Sequence, residues 1–165
     1  MDQNKSTWDW LTDTYWYVPA ENLLAYVSVP ATQQVEPVND QTVFHITDSR
    51  DGYFWGQTAV QLGDQPRTCY FLSGSVSPSG NVLLTFTASS DGSGRATVTH
   101  GSGVMCLLSG QAAMLNQMSS GPAQVQVSHW AYMLQTKEGD PSWAALPGVG
   151  ISVPDFLSPC QWARG

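Results

Sequence analysis

Apolar and polar residues alternate along most of this chain in short runs, interrupted by turn residues about every 8–14 positions, the spacing of an all-β sandwich or barrel. Residues 14–18 (TYWYV) are dense in strand formers and stop at Pro19. Residues 20–26 read either as a short helix with Pro19 at its first turn or as the start of a strand through Val29. Prolines and mostly polar neighbours make 30–40 a loop. From there the pattern predicts a meander through 42–47 (TVFHIT), 53–62 (YFWGQTAVQL), 67–76 (RTCYFLSGSV), 82–88 (VLLTFTA), 95–100 (RATVTH), 104–109 (VMCLLS) and 124–136 (QVQVSHWAYMLQT). The turns between them are Asp51-Gly52, 63–66 (GDQP), 77–81 (SPSGN), 91–94 (DGSG) and 101–103 (GSG), all rich in residues that tolerate tight backbone geometry. Residues 111–118 fit a strand or a helix and end at 119–122 (SSGP). Short turns make neighbours antiparallel, and a sheet of this size removes its exposed edges most simply by closing. The predicted fold is all-β: a single antiparallel up-and-down β-barrel of about eight strands, with a short helix or turn near the N-terminus and an irregular C-terminal tail. One domain covers 1–165, with the barrel over 7–146 and a wrapping tail over 147–165.

Alternation assigns two faces to each strand. Thr42, Phe44 and Ile46 share one face, with Val43, His45 and Thr47 on the other. Phe54, Gly56, Thr58, Val60 and Leu62 oppose Tyr53, Trp55, Gln57, Ala59 and Gln61. In the last strand Val125, Val127, His129, Ala131 and Met133 oppose Gln126, Ser128, Trp130, Tyr132 and Leu134. Several strands carry large apolar groups on both faces. One face therefore fills the barrel, and the other is covered by the N-terminal segment, the tail or a partner chain. The tail, with Pro147, Gly148, Gly150 and Pro154, is unsuited to a regular helix.

Composition narrows the function classes. Charged residues are 12% of the chain, about half the usual share, and Gln, Asn, Ser and Thr take their place. Six basic against 13 acidic residues give a formal charge of −7, which excludes a phosphate-backbone footprint, so no nucleic-acid partner is expected. Low charge with 11% aromatics is the reverse of a disordered chain. No apolar run approaches the ~20 residues of a membrane span, because Gly110 and Gln111 interrupt the nearest, 104–115; no membrane partner is expected. The first residues, MDQNKS, lack the charged and apolar regions of a signal peptide. With Cys69, Cys106 and Cys160 forming no CxxC pair, this points to reduced thiols and a cytoplasmic location.

Catalytic motifs are sparse. His45, His100 and His129 lie in different predicted strands without metal-ligand spacing, so neither a metal nor another cofactor is expected. No GxSxG, GxGxxG or P-loop occurs. Asp48, Asp51, Asp64 and Asp91 sit at turns, where Asp caps backbone groups. Asp155 differs in lying beside Phe156 in the apolar tail. His129, among apolar residues on one face, reads either as a hydrogen-bonded core histidine or as a polar anchor in an apolar cavity. The aromatics are the strongest signal: Trp8 and Trp10 before Tyr15, Trp16 and Tyr17, then Tyr53, Phe54 and Trp55, then Trp130, Tyr132 and Trp143. Packing accounts for most of them, and the remainder fits a stacking pocket or an oligomeric interface.

The run 8–18 (WDWLTDTYWYV), a short turn leading into a Trp-bearing first strand, resembles the opening of the calycins: lipocalins, fatty-acid-binding proteins and avidins. Trp130, Trp143, Val149-Gly150 and Asp155-Phe156 are similar to the end of avidins. Val18-Pro19-Ala20 stands where avidins place the Asn and Ser that hold biotin. The resemblance implies a barrel class rather than a particular ligand. These readings converge on binding of a small apolar or aromatic molecule in the barrel cavity, without conversion. Tyr17, Phe44, Trp55, Trp130 and Tyr132 would line it, His45 or His129 would anchor the ligand, and Asp155 would lie beside it. Two other classes stay open. One is a cofactor-free isomerase, cyclase or decarboxylase using His129 or His45 with a Tyr. The other is a homodimeric interaction module without a ligand.

Overall fold

The computed structural model describes residues 7–88, 98–120 and 125–160. The turn expected at 91–94, the start of the strand expected at 95 and the tail beyond 160 lie outside the described residues. Nine strands close an antiparallel barrel of eight staves: β1 Thr14–Tyr17, β2 Leu24–Val29, β3 Gln34–Arg50, β4 Tyr53–Leu62, β5 Thr68–Val76, β6 Asn81–Ala88, β7 Val98–Leu108, β8 Gln111–Ser120 and β9 Gln126–Thr136. β1 and β2 together form one stave. Both pair with β3 on one side and with β9 on the other. From β3 the chain runs up and down in order to β9, and all-β closure leaves the sheet no free edge along its middle.

The break between β1 and β2 follows from Pro19, which has no N–H for the ladder, and from the 3-10 turn Ala20–Asn22 behind it. Side chains replace the missing ladder bonds. The Tyr132 N–H donates to Asn22 Oδ1 at 3.0 Å. Gln41, fully buried, donates to the Val18 carbonyl at 3.1 Å and accepts from the Gly148 N–H at 2.8 Å. The Val18 carbonyl and the Tyr132 N–H, left without a ladder partner by the break, are thereby satisfied.

Two sequence expectations change. Residues 34–40 are strand rather than loop, because β2 pairs with them from Gln34 to Asn39. They overhang the barrel beyond the β3–β4 ladder, which begins at Asp40. Hence the side chains of 34–39 are largely solvated while Asp40 is buried, and Pro37 is tolerated as on any sheet edge. Gly101-Ser102-Gly103 is no turn but the middle of β7. A Cβ at Gly103 would collide with the Leu115 carbonyl and the Asn116 side chain, and one at Gly101 would sit 3.1 Å from Met118 Cγ. These glycines admit neighbouring side chains to the interior. The ambiguous run at 111 is strand β8.

The inner face holds Trp16, Phe44, Ile46, Phe54, Leu72, Leu84, Met114 and Met133, all buried. Leu11, on the 3-10 turn Asp9–Leu11, plugs one end. Trp8 Nε1 donates to the Ser77 carbonyl at 3.1 Å, and the buried Trp16 Nε1 donates to Thr14 Oγ1 at 2.9 Å. A second apolar cluster forms outside the barrel. There α1 Pro141–Ala144, α2 Val153–Leu157 and the 3-10 turn Ser158–Cys160 wrap the sheet, so that Leu146, Val153, Phe156 and Leu157 cover Val43 and Ala59. The helices are single turns, each with a proline in its first turn, where proline suits helix entry. Arg67 Nη1 donates to the Asp155 and Phe156 carbonyls at 2.9 and 3.0 Å and lies over the Phe156 ring.

The same wrapping overturns the expectation of three reduced thiols. Cys69 and Cys160 form a disulfide, with Cα atoms 5.3 Å apart, and Cys106 is free. The two cysteines are 91 residues apart, so only the fold brings them together. The thiol argument for the cytoplasm falls with this pairing, since disulfides persist mainly in oxidising compartments. Among the described residues, no helix is long and apolar enough to cross a membrane.

Candidate functional site

Near the break in the first stave the barrel interior turns polar. His129 on β9 points inward, with Nδ1 3.0 Å from Asp40 Oδ2 and Nε2 2.6 Å from the Asn22 carbonyl oxygen. The Asn22 carbonyl can only accept, so Nε2 carries a proton, and toward an ionised Asp40 Nδ1 donates as well, which favours the imidazolium. Burial alone would pull its pKa down. The hydrogen bond and charge of Asp40, with the Asn22 carbonyl, outweigh burial and raise it above the usual histidine value. Thr42 Oγ1 donates to Asp40 Oδ1 at 2.8 Å, completing the carboxylate's shell. Burial and the nearby Asp40 charge also push up the Tyr70 phenol.

Beside this cluster lies a cavity of about 30 Å³, lined by Asp40, Thr42, Tyr70, Phe86, Thr99 and His129 among others. That is space for about two waters, far below the ~300 Å³ of a drug-sized ligand pocket. The buried Thr99 hydroxyl on its wall has no partner among the described residues. With both nitrogens engaged, His129 presents no free ring atom to a substrate.

The residues expected to line one cavity separate onto two faces. Phe44 and His129 point inward; Phe44 packs against Phe86, with ring centroids 5.7 Å apart. Tyr17 lies on the outer face beneath the tail. His45 is also outside, stacked on Tyr15 at 4.0 Å with its Nε2 3.0 Å from Asp13 Oδ1, while Trp143 meets Tyr15 edge-on at 4.8 Å. Trp55 is half-buried on the outer face of β4. Tyr132 faces outward and donates to the Glu21 carboxylate; burial first, then Glu21, push its pKa up to about 12. Asp155 is exposed in the first turn of α2. Adjacent strand residues cannot share a face, so His129 and Trp130 could not both line the interior. Among the described residues, no cluster of His, Cys, Asp or Glu could hold a metal ion.

Trp130 instead borders a trough of about 920 Å³ that opens on the outer face of the barrel. The inward-facing row Leu84, Gly101, Met118 and His129 also contributes to its lining, so His129 and Trp130 meet there. Leu83, Ser102, Gln117 and Trp130 lie in register across β6, β7, β8 and β9. The next row is Thr85, His100, Ser119, Ser128 and, on β2, Tyr26. Leu83 forms one wall, and Trp130, Tyr26 and Leu24 form the other; all four are exposed, Trp130 at 55% and Leu83 at 63%. Three strand spacings put the walls roughly 14 Å apart. The floor between them is Ser102, Gln117, Ser119 and Ser128, with His100 and Thr85. None of these six side chains makes a hydrogen bond to another described residue. Glu21, tied to Tyr132, stands at the rim.

The sequence reading found Trp130 but missed Leu24, Tyr26 and Leu83. A usable signal existed in VLLTF, residues 82–86, where Leu83 is a large apolar residue out of phase with buried Val82, Leu84 and Phe86. No family model, no curated protein and no solved structure matches this chain.

Proposed function

We propose that this protein binds a small molecule without transforming it, and that the ligand lies in the outer trough rather than inside the barrel. The observation that carries this is the contrast between the cavity of about 30 Å³ beside His129 and the trough of about 920 Å³ bordered by Trp130. Solvent-facing Trp, Tyr and Leu side chains gathered around a concavity favour a contact site over scattered exposure. Catalysis by the buried histidine draws no support from a ring whose two nitrogens already donate to Asp40 and Asn22. An extended dimer interface draws less support than a ligand, because polar floor residues two strands wide interrupt the apolar walls, whereas interface cores are more continuously apolar.

Trp130→Ala should weaken binding at least tenfold, equivalent to about 1.4 kcal/mol, and leave the thermal midpoint nearly unchanged, because the side chain is 55% exposed. Titrating a small-molecule library against intrinsic tryptophan fluorescence, followed by calorimetry on the hits, measures this. A silent library, or hits that bind the variant as tightly as the parent, would overturn the reading.

A further inference from the structure

We infer that the ligand of the outer trough is a neutral sugar, a pyranose ring or short neutral oligosaccharide; this rests on the trough being the binding site. The first ground is charge. Strands β4 to β9 contain no Asp, Glu, Lys or Arg at all. Among the described residues the trough therefore offers an anionic ligand no Lys or Arg, only the imidazole of His100, and a cationic one only Glu21 at its rim, already bonded to Tyr132. An uncharged site complements an uncharged ligand.

The second ground separates a sugar from an apolar compound. Ser102, Gln117, Ser119 and Ser128 make no hydrogen bond to another described residue, and they line the trough with hydroxyl and amide groups available to a ligand. An apolar ligand would strip water from this floor and return no hydrogen bond. Each polar group so stranded costs about a factor of ten in affinity. A sugar carries hydroxyls around its rim to replace that water and a C–H face to lie on the Trp130 or Tyr26 ring, so it satisfies floor and wall together. The roughly 14 Å between walls, from three strand spacings, admits a ring or two side by side with the floor.

The test is calorimetry and tryptophan fluorescence with a panel of neutral mono- and oligosaccharides, including cellobiose, maltotriose, lactose and chitobiose, beside acidic sugars and uncharged aromatic compounds. At least one neutral sugar should bind, with affinity unchanged between 0.05 and 0.5 M NaCl. Trp130→Ala should weaken that binding tenfold or more, Trp130→Phe should restore part of it, and Gln117→Ala should weaken it several-fold. Light scattering should show no dimer that Trp130→Ala dissolves. Aromatic compounds that bind through Trp130 while every sugar fails would overturn the sugar and leave the site. Failure of both classes, or a Trp130-dependent dimer, would overturn both.

Discussion

Replacing Asp40 with alanine should lower the free energy of unfolding by about 3–5 kcal/mol, the usual result of removing one partner from a buried ion pair. Asp40 and His129 are almost fully enclosed, with side chains 7% and 2% exposed. The variant would leave a buried ring with one N–H unpaired and no counter-charge, and would strand the Thr42 hydroxyl. The same pair makes stability depend on pH. Since the His129 pKa is raised in the folded state, its contribution is full below the unfolded value of about 6.5. It is lost as pH rises through the folded value. Urea-denaturation midpoints should therefore fall on going from about pH 6 to pH 9 in the parent, and the slope should disappear in His129→Gln. A parent profile as flat as the variant's would refute the buried imidazolium.

Reducing the Cys69–Cys160 disulfide should cost about 4–5 kcal/mol on the chain-entropy scale for a loop of this length, which spans 91 residues of sequence. The strands would stay paired, but the tail would then depend on Leu146, Val153, Phe156 and Leu157 over Val43 and Ala59, and on Arg67 gripping two carbonyls. Thermal melts with and without reductant measure the effect, and Cys160→Ala should reproduce it. Cys106→Ser should not, because Cys106 is unpaired. Titration of the denatured, unreduced protein should find one free thiol. Three thiols, or melts indifferent to reductant, would contradict the bridge.

How much of this was legible beforehand depends on the range of the interaction. Period-two alternation is local, so strands such as Tyr53–Leu62 and Gln126–Thr136 could be read within a residue or two of their observed ends. Residues 34–39 read as a loop because an overhanging strand has no buried face, so its composition is that of a loop. Gly101 and Gly103 were misread because a glycine that admits Asn116 or Met118 looks, in sequence, like one that makes a turn. The site was less legible still. Alternation told that His129 and Trp130 face opposite ways, but not which face is the interior. The trough exists only because register lines up residues from five strands, β2 and β6 to β9. The disulfide likewise depends on where the tail lands.

The broken first stave also decides how the ring comes apart. On the β9 side, β1 and β2 contribute only short ladders, 15–17 and 26–28, whereas β3 and β4 remain paired from Asp40 to Arg50. This seam joins segments about a hundred residues or more apart, a costly loop to close. Amide hydrogens along it should exchange faster than those of the β3–β4 ladder. The His129 cluster and the Asn22 bond to Tyr132 sit at that seam. They act as its clasp, so loosening either should speed amide exchange along the seam as well as lower the stability of the whole barrel.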